Sequence, residues 1–206
     1  MSVDVESAEP GAVPRRAFDI VAIAASAGGL TALTSVLSRL PSDFGPAVVV
    51  VQHLDPRHRS LLAQILGRRT ALPVIEAVDG DRLQPGQVHV APPDRHLLVN
   101  RDGTMSLSQS ELVNFTRPSA DLLFESVAAS YGTRAIALVL TGSGQDGSMG
   151  VKAVKQRGGT VIVQDEKSSE FFGMPSAAVR TGAVDFILSL EEIPLALQTL
   201  VLGEAC

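Results

Sequence analysis

A single cysteine, Cys206, stands at the very end of this 206-residue sequence. One thiol cannot close an intrachain disulfide or supply a cysteine metal cluster, and the default home of such a chain is the cytosol. Tryptophan is absent and aromatic residues make up only 4%, so the stacking platforms of single-strand nucleic-acid binders are missing. Cations are scarce as well: 17 Lys and Arg stand against 22 Asp and Glu, a formal net charge of -5. Sequence-independent nucleic-acid binding needs clustered cations that displace counterions, and this balance argues against it. No apolar run approaches the roughly 18 residues of a membrane-spanning helix. The first 17 residues carry Asp4, Glu6, Glu9, Pro10 and Pro14 without an apolar core. They read as a flexible tail, neither signal peptide nor membrane anchor.

The whole chain is 45% hydrophobic, and what remains, residues 18–206, reads as one domain, long enough to bury about 70% of its unfolded surface. Short all-apolar runs alternate with helical patterns. Ile20 to Ile23, Ala47 to Val51, Ala135 to Leu140 and Thr160 to Val163 are strands of the kind covered on both faces. Between them, Leu30, Leu33, Val36, Leu37 and Leu40 fall at helical spacing, as do Leu122, Leu123, Val127 and Ala128 after a candidate N-cap, Ser119. From Asp79 to Leu107 the pattern changes to glycine- and proline-punctuated pieces, among them Val88-His89-Val90. This middle reads as antiparallel decoration, with Asn100 to Gly103 turning a hairpin. The fold class that follows is α/β: a doubly wound, mostly parallel sheet with helices on both faces and a small antiparallel hairpin insertion.

Sites in such sheets form beyond the carboxyl ends of the strands. Ser26 follows the first strand on a turn with Gly28 and Gly29, His53 follows the second, and Asp146 lies past the strand ending at Leu140. A hydroxyl needs an imidazole to take its proton, and the imidazole needs a carboxylate to fix its tautomer. All three are supplied at one edge. Each also has a purely structural reading: Ser26 as a packing residue or cap, His53 as a cap for the next helix, Asp146 as an N-cap in its glycine-rich loop. His89 and His96 lie in the strand-like middle and His58 in an arginine-flanked helix start, and none has carboxylate partners at metal-ligand spacing. A competing motif is Gly142-x-Gly144-x-x-Gly147 with Asp165 beyond the next strand, a dinucleotide fingerprint. Against it, Asp146 would set a carboxylate beside the pyrophosphate.

Six ordered blocks carry a resemblance: Ala25-Ser26-Ala27-Gly28-Gly29, Gln52-His53, Ala91-Pro92-Pro93-Asp94-Arg95-His96, Arg117-Pro118-Ser119-Ala120-Asp121, Leu140-Thr141-Gly142-Ser143-Gly144-Gln145-Asp146-Gly147 and Phe172-Gly173-Met174-Pro175. Over Phe18 to Leu202 the chain resembles the catalytic domain of the chemotaxis protein-glutamate methylesterases, the CheB family. The resemblance implies Ser26 as nucleophile, His53 as base and then acid, and Asp146 as its orienter. It implies hydrolysis of γ-glutamyl methyl esters on chemoreceptor cytoplasmic helices and deamidation of receptor glutamines, with no metal or cofactor. Backbone N–H groups near His53, Ala27, Gly28 or Ser143 are the expected oxyanion donors, and Arg117, with Arg57 and Arg59, the expected substrate contacts.

The chain also departs from the family pattern. Ser143 stands where methionine is usual, Ala24 where glycine is usual, and Phe115-Thr116 where a more polar, often histidine-containing pair is found. Family members usually carry an N-terminal receiver domain over the active site, whereas a short tail precedes Phe18 here. The expectation is an uncovered domain, or one regulated by a separate chain such as a response regulator or a paired methyltransferase. The readings from other classes are a non-catalytic chemosensory interaction module of the same fold and a dinucleotide-binding protein.

Overall fold

The computed structural model describes residues 17–54 and 60–203. The expected tail up to residue 16, and with it Arg57, His58 and Arg59, lies outside the described residues.

In chain order the elements are β1 (Ile20–Ala25), α1 (Gly29–Leu37), β2 (Ala47–Gln52), α2 (Leu62–Gly67), β3 (Val74–Glu76), β4 (Val88–Val90), β5 (His96–Val99), β6 (Met105–Ser108), α3 (Ala120–Tyr131), β7 (Ala135–Val139), α4 (Ser148–Gln156), β8 (Thr160–Gln164), α5 (Gly173–Val179), β9 (Phe186–Leu188) and α6 (Ile193–Leu202). Seven strands make one sheet in the order β3-β4-β2-β1-β7-β8-β9, and every pairing in it is parallel. The remaining two, β5 and β6, form the antiparallel hairpin. The doubly wound class is therefore the observed one. One reading of the middle section is overturned: Val88-His89-Val90 is no antiparallel decoration but β4, held parallel between β2 and β3.

Strand alternation sorts the core into two layers. Val21, Ile23 and Ala25 of β1 pack with α1, α2 and α6, while Ile20, Ala22 and Ala24 face the α3, α4 and α5 side, where the hairpin also packs. Every residue of β1, β2 and β7 is buried, which is why these strands read as unbroken apolar runs. The chain enters in the middle at β1, builds outward to β2, β4 and β3, then crosses back to β7 and builds the other way. The loops after β1 and β7 therefore diverge to opposite faces. That divergence opens a crevice at the carboxyl ends of two adjacent strands, the topological switch point where open α/β sheets place their ligands.

Helices α3 and α4 meet at Gly150, where no side chain fits between them. A Cβ there would sit 2.6 Å from Phe124 Cβ and 3.0 Å from the Asp121 carbonyl oxygen, so a larger residue would push the helices apart.

Candidate active site

Register brings the three candidate residues together. Ala25 of β1 is level with Gln52 of β2, so Ser26 and His53 are the next residues on neighbouring parallel strands. On the other side of β1, the Ser26 N–H donates to the Thr141 carbonyl at 3.0 Å, and Leu140 N–H to the Ala24 carbonyl at 2.9 Å. The β7 loop thereby starts alongside the serine. Glycine at 142 is required by this approach, since a Cβ on it would sit 2.9 Å from Ser26 Cβ.

His53 and Asp146 form a direct pair, Nε2 to Oδ2 at 2.9 Å. The carboxylate is 2% exposed and the imidazole 13%, so water screens the pair little. Burial alone pushes the Asp146 carboxyl up, but hydrogen bonds from His53, the Ala120 N–H and Ser119, together with the His53 charge, outweigh it and leave it below the ordinary carboxylate range. An ionised carboxylate only accepts, so the imidazole proton sits on Nε2 and Nδ1 carries the lone pair. Ser26 Oγ makes no hydrogen bond to His53 in this geometry.

Asp146 has a second task. Its Oδ2 takes the Ala120 N–H at 2.6 Å and lies 3.2 Å from Thr116 Oγ1, and its Oδ1 takes the Ser119 hydroxyl at 2.9 Å and the Asp121 N–H at 3.3 Å. Ala120 and Asp121 open α3, so Asp146 caps a helix, though not the one expected. Its own helix, α4, has Gly147 in left-handed conformation at the N-cap position. Ser119 does hold the N-cap position of α3, but its side chain caps nothing there. In exchange, Asp121 Oδ1 accepts the Met149 and Gly150 N–H groups of α4 at 2.9 and 2.7 Å. Burial is the main cause that raises the Asp121 carboxyl above its ordinary value, with the Asp146 charge adding to it.

These opposite shifts set a pH dependence. Where a folded carboxyl is depressed, as at Asp146, the unfolded chain binds protons more readily, so the stabilisation is present above the unfolded value and lost as pH falls through the folded one. For Asp121, raised on folding, the contribution is present below the unfolded value and fades as pH rises through the folded one. The melting temperature of the wild type should accordingly fall as pH drops below about 4, and fall less steeply in Asp146→Asn. Parallel slopes for the two proteins would contradict the assignment.

The dinucleotide fingerprint has another explanation here. Gly144 and Gly147 have φ of 87° and 94°, values that ordinary residues avoid, and two N–H groups at the start of α4 already belong to Asp121. A pyrophosphate would find that helix N-terminus taken.

The expected oxyanion donors separate cleanly. The His53 N–H is committed to the Ala25 carbonyl at 3.1 Å, which removes that group itself. Among the described residues, the backbone N–H groups of Ala27, Gly28 and Ser143 have no acceptor. Arg117, an expected substrate contact, is engaged within the protein: Nε and Nη2 bind Asp94 Oδ1 at 2.9 and 2.7 Å, and Nη1 reaches the Ser110 and Gln109 carbonyls at 2.7 and 3.2 Å. It fastens its own loop. Of the other histidines, His96 Nδ1 accepts the Ser119 N–H and its Nε2 faces the Glu111 carbonyl, while His89 Nε2 accepts the Gln84 N–H. Both are buried and act as scaffold. Among the described residues, no group of three or more His, Cys, Asp or Glu could hold a metal ion, and no helix is long and apolar enough to cross a membrane.

Several supporting residues had no role assigned to them from sequence. Gln52 Nε2 donates to the Ser26 carbonyl at 2.7 Å and the His53 carbonyl at 3.1 Å, tying the two loops together. Gln164 Oε1 receives the Thr141 N–H at 2.8 Å. The Thr141 hydroxyl accepts the Phe171 N–H at 2.8 Å and lies 3.1 Å from the Ala27 carbonyl. A signal was available for the glutamines: each closes an otherwise apolar strand at the sheet's functional end, where a buried amide needs partners.

Comparison with known proteins gives the family. The family model described as CheB methylesterase matches residues 21–197. A protein-glutamate methylesterase/protein-glutamine glutaminase of Moorella thermoacetica is 41% identical over 203 residues, 96% of this chain and 48% of that one. A Leptospira interrogans protein, provisionally named for the same two activities, is 40% identical over 176 residues, 85% of this chain and 91% of its own. The chain thus spans about half the length of the first relative and most of the second. Among solved structures, the Thermotoga maritima CheB methylesterase catalytic domain has a TM-score of 0.86 at 38% identity and covers 89% of this chain and 99% of its own. With a family model matched along most of its length and a solved catalytic domain covered almost end to end, the chain belongs to the CheB methylesterase family.

Proposed function

We propose that this chain is a serine carboxyl-ester hydrolase acting on γ-glutamyl methyl esters of chemoreceptor cytoplasmic helices, and by the same route on receptor glutamine amides. The observation that carries the reading is the buried His53–Asp146 pair held beside the Ser26 turn at the switch point of the sheet. Ser26 Oγ attacks the γ-carbonyl carbon while its proton passes to His53 Nδ1. The Asp146 carboxylate stabilises the imidazolium, and the uncommitted N–H groups of Ala27, Gly28 and Ser143 hold the oxyanion. Collapse breaks the ester C–O bond, and His53 returns the proton to the departing methoxide as methanol. Water then attacks the glutamyl-serine ester with His53 as base, releasing the γ-carboxylate and restoring Ser26. With an amide substrate the leaving group is ammonia.

The exposed Ser143 side chain leaves its backbone donor intact, so the mechanism survives this departure from the family pattern. The reaction consumes an ester that a protein methyltransferase must supply, and a separate response regulator or that methyltransferase is the expected second partner. The test is release of labelled methanol from a methylated chemoreceptor cytoplasmic fragment in the presence of this chain. Release at a rate far above the buffer blank supports the reading. Tight binding of the fragment without methanol release would replace it with a chemosensory interaction module.

A further inference from the structure

Between β6 and α3 the chain crosses the mouth of the crevice in a two-residue turn. Val113 and Thr116 pair across it, with N–H to carbonyl distances of 3.2 and 2.9 Å, and the residues between, Asn114 and Phe115, have φ of 51° and 62°. Two successive left-handed residues are the signature of a type I′ turn. Asparagine suits the first place. The second is one where glycine is favoured, and a phenylalanine there is strained.

The turn is fastened from beneath by the site itself. Asn114 Nδ2 donates to Asp121 Oδ2 at 2.8 Å and lies 3.4 Å from Asp146 Oδ1, and Thr116 Oγ1 lies 3.2 Å from Asp146 Oδ2. Arg117 clamps the next residue of the chain as described above. Yet the Phe115 ring packs against nothing, being 97% exposed, the highest value for a large hydrophobic side chain among the described residues. Met149, whose N–H meets the same Asp121 carboxylate, is 56% exposed, and Phe171, whose N–H meets Thr141, is 43% exposed. A strained, hydrogen-bonded turn that carries an unpacked aromatic beside the His53-paired carboxylate has no account in the stability of the domain.

Resting on the esterase reading, we propose that Phe115 is a specificity-determining anchor for the protein substrate. Its ring receives an apolar side chain of the helix that carries the esterified glutamate. A polypeptide that delivers a γ-carbonyl to Ser26 must lie across this sheet edge, where the turn stands. On a helix, residues three and four positions away share a face. Phe115 therefore reads the apolar neighbours flanking the glutamate and helps decide which glutamates are processed. The occupant is apolar because the Phe115 ring offers only apolar surface, the Arg117 guanidinium two residues on is engaged by Asp94, and the ester is uncharged.

The test compares kcat/KM on a methylated chemoreceptor fragment with kcat/KM on a small ester, N-acetylglutamate α-amide γ-methyl ester, in wild type, Phe115→Ala, Phe115→Tyr and Phe115→Gly. Removing an aromatic anchor at the centre of a contact should lower the protein-to-small-ester ratio about tenfold or more in the Ala and Gly variants, through KM on the fragment. Phe115→Tyr should restore it. Phe115→Gly should also melt at a higher temperature than wild type, because glycine accepts the positive φ without strain. A ratio unchanged in Phe115→Ala and Phe115→Gly, with both substrates still hydrolysed, would overturn this inference alone. If wild type hydrolyses neither substrate faster than Ser26→Ala, the esterase reading falls and this inference with it.

Discussion

Replacing Ser26 by alanine should reduce methanol release by about 10⁴-fold or more while leaving the fold intact. The two halves of this expectation come from the same observation. Among the described residues, Ser26 Oγ has no hydrogen-bond partner, so deleting it strands no buried group, and stability should stay within about 0.5 kcal/mol of wild type. What disappears is the only hydroxyl placed level with His53 on the neighbouring strand. The residual rate, still above that of uncatalysed hydrolysis, comes from the oxyanion donors and substrate binding, which the substitution leaves in place. Methanol release and a thermal melt on the same sample check both halves. A loss below about tenfold in a protein that melts like wild type would reject Ser26 as nucleophile.

The second large effect is expected at Asp146, and there activity and stability fall together. Asp146→Ala removes the acceptor for His53, for the Ser119 hydroxyl and for the first N–H groups of α3. Lost capping and stranded donors sum to about 3–5 kcal/mol, which for a domain of this size lowers the melting temperature by roughly 10 °C. Turnover should fall by about 10⁴ as the imidazole loses its partner. Asp146→Asn separates the two roles. The Ala120 N–H is a fixed donor 2.6 Å from Oδ2, so the amide must turn its carbonyl to that side, and His53 Nε2 keeps an acceptor. The tautomer survives; what is lost is the negative charge and the Oδ1 acceptor of the Asp121 N–H, a long bond at 3.3 Å. A smaller loss follows, about 10²–10³ in kcat with most of the stability retained. Equal damage from both substitutions, in melt and in rate, would show that this reading of the oxygens is wrong.

The main strands and the shared edge of Ser26, His53 and Asp146 were legible because β1, β2 and β7 are buried on both faces. Burial on both faces writes itself into sequence as consecutive Val, Ile, Ala and Leu. The position of β4 was not legible, since Val88-His89-Val90 is three residues long, sits among turn signals, and owes its place to partners far away in sequence. The ties of Arg117 were not legible for a related reason: a motif gives a residue's neighbourhood, but which partners a guanidinium meets, here Asp94 and the Gln109 and Ser110 carbonyls, depends on the loop's path. The turn at Asn114 and Phe115 left little trace, because a type I′ turn is normally announced by glycine. Gln52 and Gln164 could have been noticed as polar endings of apolar strands. The capping of α3 by Asp146 could not, because the two elements approach only once the helices pack.

That exchange between α3 and α4 has a bearing on how the domain opens. Each helix start is closed by a carboxylate that belongs to the other's neighbourhood, Asp146 for α3 and Asp121 for α4. Neither start can fray by itself without stripping its counterpart. The two helices thus form one cooperative unit, and the carboxylate that orients His53 sits inside it. A partly opened form in which the Asp146 carboxylate loosens while both helix starts hold is not on offer: the acceptor of His53 is held or released together with the packing of that layer.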